Sequence, residues 1–592
     1  MVGIIRPRKQ IYRQHAPVMI GIRDLGQFIP VPGGPTSVNL HARVTAQAKA
    51  ATLMSFPGSG NVSINGLGFH VVSAVSPSGQ GSGFSGAGSR QIYVSSSTGS
   101  DSSPNTGTQA APFASITKGA SYMRAGSPDQ LLLKCGDSWT NDDIGQSANS
   151  YKNFYGSSTN AIALIGSYGT GARPKLNVPC NQTDGSALYF YGSNNFGGSN
   201  LAIIGIELYA YQKDPASGSY LGASSSVLQA DGTDGILLGL STTLTATLNI
   251  IEDCKFSFFA TNIAVQAYDS SSLVPNSTLI IRRNISTNAY CISGHSQGLH
   301  IEGMTLSTVQ ENVFDTNGWS PNAGLQAVGA GPTEFNRNFY FSQTPDGITT
   351  GLLQMLGNIS TNSSSEGFQA RTGGVINDNL VAFSTNGFDV GHQQNDSGLI
   401  TTIANGTRNV ILNSIIQSTV PEESGGIDVL YSHGTSGSVS IINSIIANVG
   451  SSYVDACATT LDPNCTGCSM SGLIIFKWPF SISGINGTGL TTPTYSDGSG
   501  NSISSVYDQS GGNTEGYTHP TPTASGSVSL IGDYYNSIGG VIGSYASLDA
   551  AFIAAAAARA GGTWNTQLSA YAVNNYVQTG FDVSYTKSTD PY

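Results

Sequence analysis

Nine side chains between positions 294 and 392 carry chemistry worth combining: His295, Asp315, Trp319, Glu334, Arg337, Glu366, Arg371, Asp389 and His392. His295 and Asp315 are 20 residues apart, Asp315 and Arg337 are 22, and Arg371 and His392 are 21. In a chain that winds once every twenty-odd residues, that spacing returns side chains to one face, stacked about 5 Å apart. Two reactions fit such a stack. Carboxylates drawn from Asp315, Glu334 and Glu366 can flank a glycosidic bond for hydrolysis. Alternatively, Arg337 or Arg371 can stabilise the enolate of a uronic acid while His295 removes its proton, which is lyase chemistry. Trp319, in the loop-like Asn317-Gly318-Trp319-Ser320-Pro321, is expected to be exposed and to stack on a sugar, with Asp389 and His392 as further substrate contacts. Each side chain also has a plain structural use, in a turn or in an ion pair. The residues leave open a lyase, a hydrolase or a protein that only binds.

What would stack them is a repeat. From about 160 to 480 a short apolar run, an Asn, a second apolar run and a Gly or Asn turn recur, with Asn at 284, 312, 338, 358, 379, 413 and 443. Successive positions differ by 28, 26, 20, 21, 34 and 30 residues, as expected of coils carrying loops of unequal length. One such coil can neither satisfy its backbone nor bury its apolar side alone, so coils must stack in parallel. Asn suits the recurrent turn, because it tolerates left-handed backbone and its amide can bond the next Asn as a ladder. The fold class is therefore all-β, a parallel β-helix. A propeller or sandwich would want regular hairpins, and the five Asn-Gly pairs follow no such layout.

Composition agrees. Charged residues are only 10% of the 592, Gly is 74, and Lys and Glu are too scarce to coat long helices. The first 50 residues carry net +6 and the remainder net −17, a basic arm on an acidic body. No run approaches the ~18 apolar residues of a membrane span, and MVGIIRPRKQIYRQHAPVMIGIRDL has no apolar core of a secretory signal. Nothing points to nucleic acid as a partner. Seven cysteines make no disulfide framework. Cys457, Cys465 and Cys468 cluster without a fourth zinc ligand, so a local disulfide or free thiols are expected there. No cofactor is required, though Asp231-Gly232-Thr233-Asp234-Gly235 is an acidic turn of the kind that can hold Ca²⁺.

The pattern divides the chain into a basic arm and attachment module over 1–90, an opening with a capping helix over 91–160, and a β-helix body over 161–480. An irregular β region over 481–545 and a helical cap over 546–592 follow. Ser547 begins one helix that stops before Gly561-Gly562, and Leu568–Val577 makes a second, closed by Gly580. The two are expected to cover the open end of the solenoid.

IYVSSSTGSDSSPNTGTQAAPFASITKGA at 92–120, LLLKCGDSW at 131–139, ALIGSYGTGARPKL at 163–176, GHSQGLHIEG at 294–303, ENVFDTNGW at 311–319, FNRNFYF at 335–341 and GFQARTGGVINDNLVAF at 367–383 resemble bacterial and phage right-handed β-helix proteins of the pectate-lyase-like superfamily. The tail at 547–581 is similar as well, so the resemblance spans about 92–581 and leaves the first 90 residues unmatched. It implies a right-handed solenoid and a glycan ligand, within a group that includes lyases, hydrolases, epimerases and binding proteins. The expected function is a phage tailspike or tail fibre that binds, and cleaves, a bacterial surface polysaccharide. By analogy it would be a homotrimer, joined to other tail proteins through residues 1–90 and located on the virion. The alternatives are a secreted bacterial polysaccharide lyase or hydrolase, and a non-catalytic structural or receptor-binding fibre.

Overall fold

The computed structural model describes residues 60–77, 84–142, 154–180, 186–191, 198–241, 244–267, 273–342, 352–391, 402–413, 425–430, 437–448, 457–461, 468–476, 478, 480–483, 494–496, 502–509 and 530–591. Within them, short apolar strands build one 24-stranded and one 10-stranded sheet. Every strand pairing in these sheets is parallel, apart from the antiparallel Thr494–Ser496 against Ser502–Gln509. Each strand pairs with its counterpart one coil away: Val313–Asp315 lies between Ile285–Thr287 and Ile359–Thr361. The chain is a parallel β-helix.

Alternation along each strand sends every second side chain inward. On the ten-stranded sheet, Ile236, Ile263, Leu299, Phe339, Phe368, Phe388 and Ile427 stand in one register and are all buried. The rings of Phe314, Phe339, Phe368 and Phe388 follow one another at centroid distances of 6.2–6.4 Å. One apolar column thus runs through the body, and no coil could bury it alone.

The asparagines form two ladders. In the first, Asn284, Asn312, Asn358 and Asn379 each donate from Nδ2 to the Oδ1 of the next, at 2.9–3.1 Å, ending on Asn409. Ser444 takes the following rung, accepting from the Asn409 amide. The second runs Asn262, Asn317, Asn338, at 3.2 and 2.9 Å. Asn338 therefore belongs to another corner of the coil than its neighbours in the sequence series, and Asn443 precedes the Ser444 rung instead of forming one, while the Asn413 side chain lies outside the described residues. Nor does the ladder Asn itself take the left-handed backbone. The residue before it does: Arg283, Glu311, Gly357, Asp378, Arg408 and Asn443 all have φ between +52° and +61°. That residue makes the corner, and the corner turns the following amide into the core.

Two other parts of the chain lie along the flanks. The hairpin Val62–Ile64/His70–Val72 places Val62 and Val72 on an outward apolar patch that includes Leu132, Leu164, Leu248, Ile250 and Ile280. The helices Leu530–Ser537, Leu548–Ala557 and Ala570–Gly580 pack as a group, the latter two capped by Ser547 and Ser569. Leu530–Ser537 falls in the region read from sequence as irregular β. These helices do not lie across the end of the solenoid. Phe552, Ile553, Val573 and Val577 cover Val313, Ile359, Leu380, Val410, Leu412 and Ile445, the outward side chains of the short strands, along its side. The reason is in those strands: Leu380-Val381-Ala382 and Ile445-Ile446-Ala447 are apolar on both faces, and an outward apolar stripe must be covered.

Both flank modules meet the body at one buried charge cluster. Glu252 accepts from the His70 amide at 2.8 Å and from its ring, and pairs with Arg282. Arg283 pairs with Glu311 at 2.6 Å, donates to the Leu67 carbonyl and lies over the rings of Phe69 and Trp564. Arg173 binds Asp253 at 2.7 Å and also donates to the Arg559 carbonyl, while Arg559 donates to the carbonyl of Arg283. Burial alone would raise Glu252, but the hydrogen bond and charge of His70, with the charge of Arg282, hold it below the usual range.

Candidate functional site

The outward face of the ten-stranded sheet carries a different set of groups. In Gln297–Glu302, Arg337–Phe341, Glu366–Ala370, Asn386–Gly391 and Gly425–Leu430, one polar or aromatic residue sits between two core residues: His300, Tyr340, Gln369, Asp389 and Asp428. Register places these five in one column, one per coil. His300 stacks on Tyr340 with centroids 5.2 Å apart and ring planes 11° from parallel. Gln369 Nε2 donates to Asp389 Oδ2 at 2.6 Å.

Beside this column runs a second. Arg337 Nε donates to Glu366 Oε2 at 2.7 Å, and its Nη2 donates to the Glu334 carbonyl. Ser365 also donates to Glu366. The guanidinium of Arg337 lies 5.0 Å from the Tyr340 ring centroid and that of Arg371 lies 5.1 Å from it. Arg337, Glu366, Gln369, Arg371, Asp389 and Asp428 are buried, His300, Glu302 and Tyr340 half-buried. At the near end, His295 and Phe335 are exposed and meet edge to face, with centroids 5.6 Å apart.

Burial and charge set the protonation states. Burial would raise Glu366, but the charge and hydrogen bonds of Arg337, with the Ser365 hydroxyl, hold it below the usual carboxylate range. Burial pushes Asp389 up to about 7, and the Glu366 carboxylate adds to the rise. Two neighbouring carboxyls are thus driven apart, one ionised and one holding its proton near neutrality. Burial likewise lifts Glu302 to about 7 and, with the charges of Arg337 and Arg371, drops His300 to about 4. His295 is also lowered, by partial burial and then by Arg337.

Of the side chains singled out in sequence, this face brings together Arg337, Glu366, Arg371 and Asp389, with His295 at its edge. Two others, Asp315 and Trp319, lie elsewhere. Asp315 is on the short-strand row of the other sheet, where its Oδ1 accepts from Thr361 and Asn362, both at 2.8 Å. A spacing of one coil length brings residues to one face only where the loops between them match, and here they do not. Trp319 is only 7% exposed, and its Nε1 donates to the Asn362 carbonyl at 2.8 Å. Its ring is a wedge between coils, so it offers no stacking surface. The aromatic exposed at this face is Phe335, at 55%. Glu334 reaches the site through its backbone carbonyl. His392 lies outside the described residues.

Sequence reasoning missed His300, Glu302, Tyr340, Gln369 and Asp428. Except for Glu302, which ends its strand, their signal is a single polar residue inside an apolar triplet, as in Leu299-His300-Ile301 and Phe339-Tyr340-Phe341, one per coil.

Among the described residues no three His, Cys, Asp or Glu are grouped to hold a metal ion. In the acidic turn at 231–235, Asp231 is buried against the ammonium of Lys213 at 3.1 Å and accepts from Thr233. Burial pushes Asp234 up to about 7. The turn is therefore tied to an internal cation, which leaves little of the anionic oxygen cage that Ca²⁺ wants. Cys468 is disulfide-bonded; Cys465 and the Cys457 side chain lie outside the described residues.

No family model matches the chain, and no curated protein matches its sequence. Solved structures similar to it include pectate lyase Pel9A, at 12% identity over 73% of this chain and 83% of that one, with a TM-score of 0.35. A rhamnogalacturonan lyase is similar at 13% identity over 74% and 92%, with a TM-score of 0.35. The GH136 lacto-N-biosidase of Eubacterium ramulus is similar at 11% over 71% and 67%, with a TM-score of 0.29. What the chain's own ladders establish is its architecture: a parallel β-helix with one polar face and two flanks covered by its own ends.

Proposed function

We propose that this chain is a phage tailspike or tail fibre that binds and depolymerises a bacterial surface polysaccharide along the outward column of the ten-stranded sheet. The observation that carries the reading is the column itself. It offers His300, Tyr340, Gln369, Asp389 and Asp428 at one per coil, flanked by Arg337, Glu366 and Arg371. A ligand that repeats along its length matches a site that repeats along its length, at the ~4.8 Å spacing of stacked strands. Rings for the apolar faces of sugars, amides and carboxyls for their hydroxyls, and a carboxyl that keeps its proton near neutrality make a glycan-cleaving set.

The attachment role assigned to residues 1–90 draws support from two facts. The first 50 residues carry net +6 against net −17 for the rest. The hairpin that follows them is anchored by His70 and Val72 on the body, so an arm ahead of it would be held firmly. In the homotrimer we propose, contacts between copies would use surfaces other than the short-strand flank, which the chain's own helices cover. Light scattering on purified protein reports the copy number.

The deciding experiment is incubation with a panel of bacterial surface polysaccharides, following chain length. Shortening of at least one glycan is the expected result. Binding without shortening of any glycan would leave a non-catalytic fibre and end the enzyme reading.

A further inference from the structure

Among the described residues, two buried oxygens on the site column stand without hydrogen-bond partners. Asp389, 1% exposed, uses Oδ2 to accept from Gln369, while its Oδ1 has none. Gln369, 2% exposed and one coil before it, donates through Nε2 and leaves Oε1 without a partner. Most buried polar atoms are satisfied, and an orphan pair side by side on one face asks for a ligand. Hydroxyl groups would supply the missing donors, and the Asp389 carboxyl can also donate when protonated.

Asp428 stands in register with Asp389 one coil further on, in the same outward column. Adjacent strands are spaced about 4.8 Å apart. A carboxyl pair about 5–5.5 Å apart is the geometry in which one group attacks the sugar directly, with no room for a water between. Glu366, the other acidic neighbour, stands in register with Asn386, outside this column, and is paired with Arg337.

We infer that Asp389 and Asp428 are the catalytic carboxyls of a retaining glycoside hydrolase, with Gln369 as the residue that positions Asp389. This rests on the polysaccharide reading above and deepens it. In the first step the Asp428 carboxylate attacks the anomeric carbon. The bond from that carbon to the bridging oxygen breaks, and the Asp389 proton goes to the departing oxygen. In the second step a water oxygen bonds to the anomeric carbon, the glycosyl ester to Asp428 breaks, and Asp389 takes the water proton back. One water is consumed and one reducing end appears per bond, with no oxidant and no metal in the balance.

The test uses the full chain and a polysaccharide that it shortens. Product anomers are read by proton NMR, and Asp389→Asn and Asp428→Ala are compared with the parent. The inference expects retention of configuration, losses in kcat/KM of about 10²–10⁴-fold for each variant, and partial rescue of Asp428→Ala by azide as a glycosyl azide. Melting temperatures no lower than the parent's separate these losses from misfolding, and azide rescue itself requires a folded site. Inversion, an unsaturated uronate product, or an Asp389→Asn variant within about tenfold of the parent would overturn it while leaving depolymerisation standing. If the parent shortens no glycan, the function fails and takes the catalytic pair with it.

Discussion

Two buried clusters of this β-helix treat charge in opposite ways. Under the hairpin and the C-terminal helices, Arg173, Arg282, Arg283 and Arg559 meet Glu252, Asp253 and Glu311, with donors and acceptors drawn from segments hundreds of residues apart. On the outward column of the ten-stranded sheet, Gln369 and Asp389 keep oxygens without partners among the described residues, and Asp389 holds a proton near neutrality. The first cluster uses charge to fix where chain segments sit. The second sets a carboxyl beside an amide and another carboxylate at a cost in stability, which is the usual mark of a site built to meet something else. Polar burial alone does not tell the two apart; the pairing of the charges does, since each flank carboxylate lies against a guanidinium.

The comparison breaks most visibly if the flank cluster is opened. Glu311→Ala leaves Arg283 without the carboxylate 2.6 Å away and removes a neighbour of Arg282 as well. Stripping one partner from a buried pair costs about 3–5 kcal/mol, because the other charge stays buried. Urea unfolding of the variant should show that loss. Limited proteolysis should show residues 60–77 released early, since Arg283 also holds the Leu67 carbonyl. A loss below about 1 kcal/mol would mean the cluster is wet and does not anchor the hairpin.

A smaller loss is expected from the ladder. Asn312 donates to Ile281 and Asn358 and accepts from Asn284, all inside the core. Asn312→Ala leaves several of these groups unsatisfied and should cost about 2–3 kcal/mol, read as a shifted urea midpoint at constant slope. The ladder also shows what was legible in sequence and what was not. Asn284, Asn312, Asn358 and Asn379 were visible because an Asn between apolar runs repeats at the coil length. The two-corner geometry was hidden: Asn338 belongs to the other ladder, and Ser444 replaces Asn as a rung because a hydroxyl also accepts the preceding amide's bond. Site residues were harder. Arg337, Glu366, Arg371 and Asp389 were found by charge, but Asp315 was assigned to the same face from spacing alone. Loops of unequal length make that spacing unreliable: successive rungs lie 28, 46, 21 and 30 residues apart. Only the strand register identifies Tyr340, Gln369 and Asp428 as neighbours.

At the site, the next effect is one of pH. The Gln369 hydrogen bond lowers the Asp389 pKa against the rise that burial imposes. Gln369→Leu removes that bond and should move the alkaline limb of kcat/KM upward by about 0.5–1 pH unit, since Asp389 must keep its proton to act as acid. A limb that stays put would place the titrating group elsewhere.

The smallest effect is the one that sharpens the contrast most, because its sign is opposite. A carboxyl whose folded pKa is raised to about 7 binds its proton more tightly in the native state than in the unfolded chain, where the value is about 3.9. Its stabilisation is complete below about pH 4 and is lost as pH rises through about 7. Asp389→Asn removes that liability, so the variant should equal or exceed the parent in stability at pH 8, by about 0.5–2 kcal/mol. The gain should shrink or reverse at pH 4, where the parent carboxyl is protonated and pays nothing for burial. Thermal melts of the two proteins at both pH values measure this directly. A variant destabilised at pH 8 as severely as Glu311→Ala would show that Asp389 is held by charge pairing like that of the flank, and the distinction between an anchoring cluster and a site would fall.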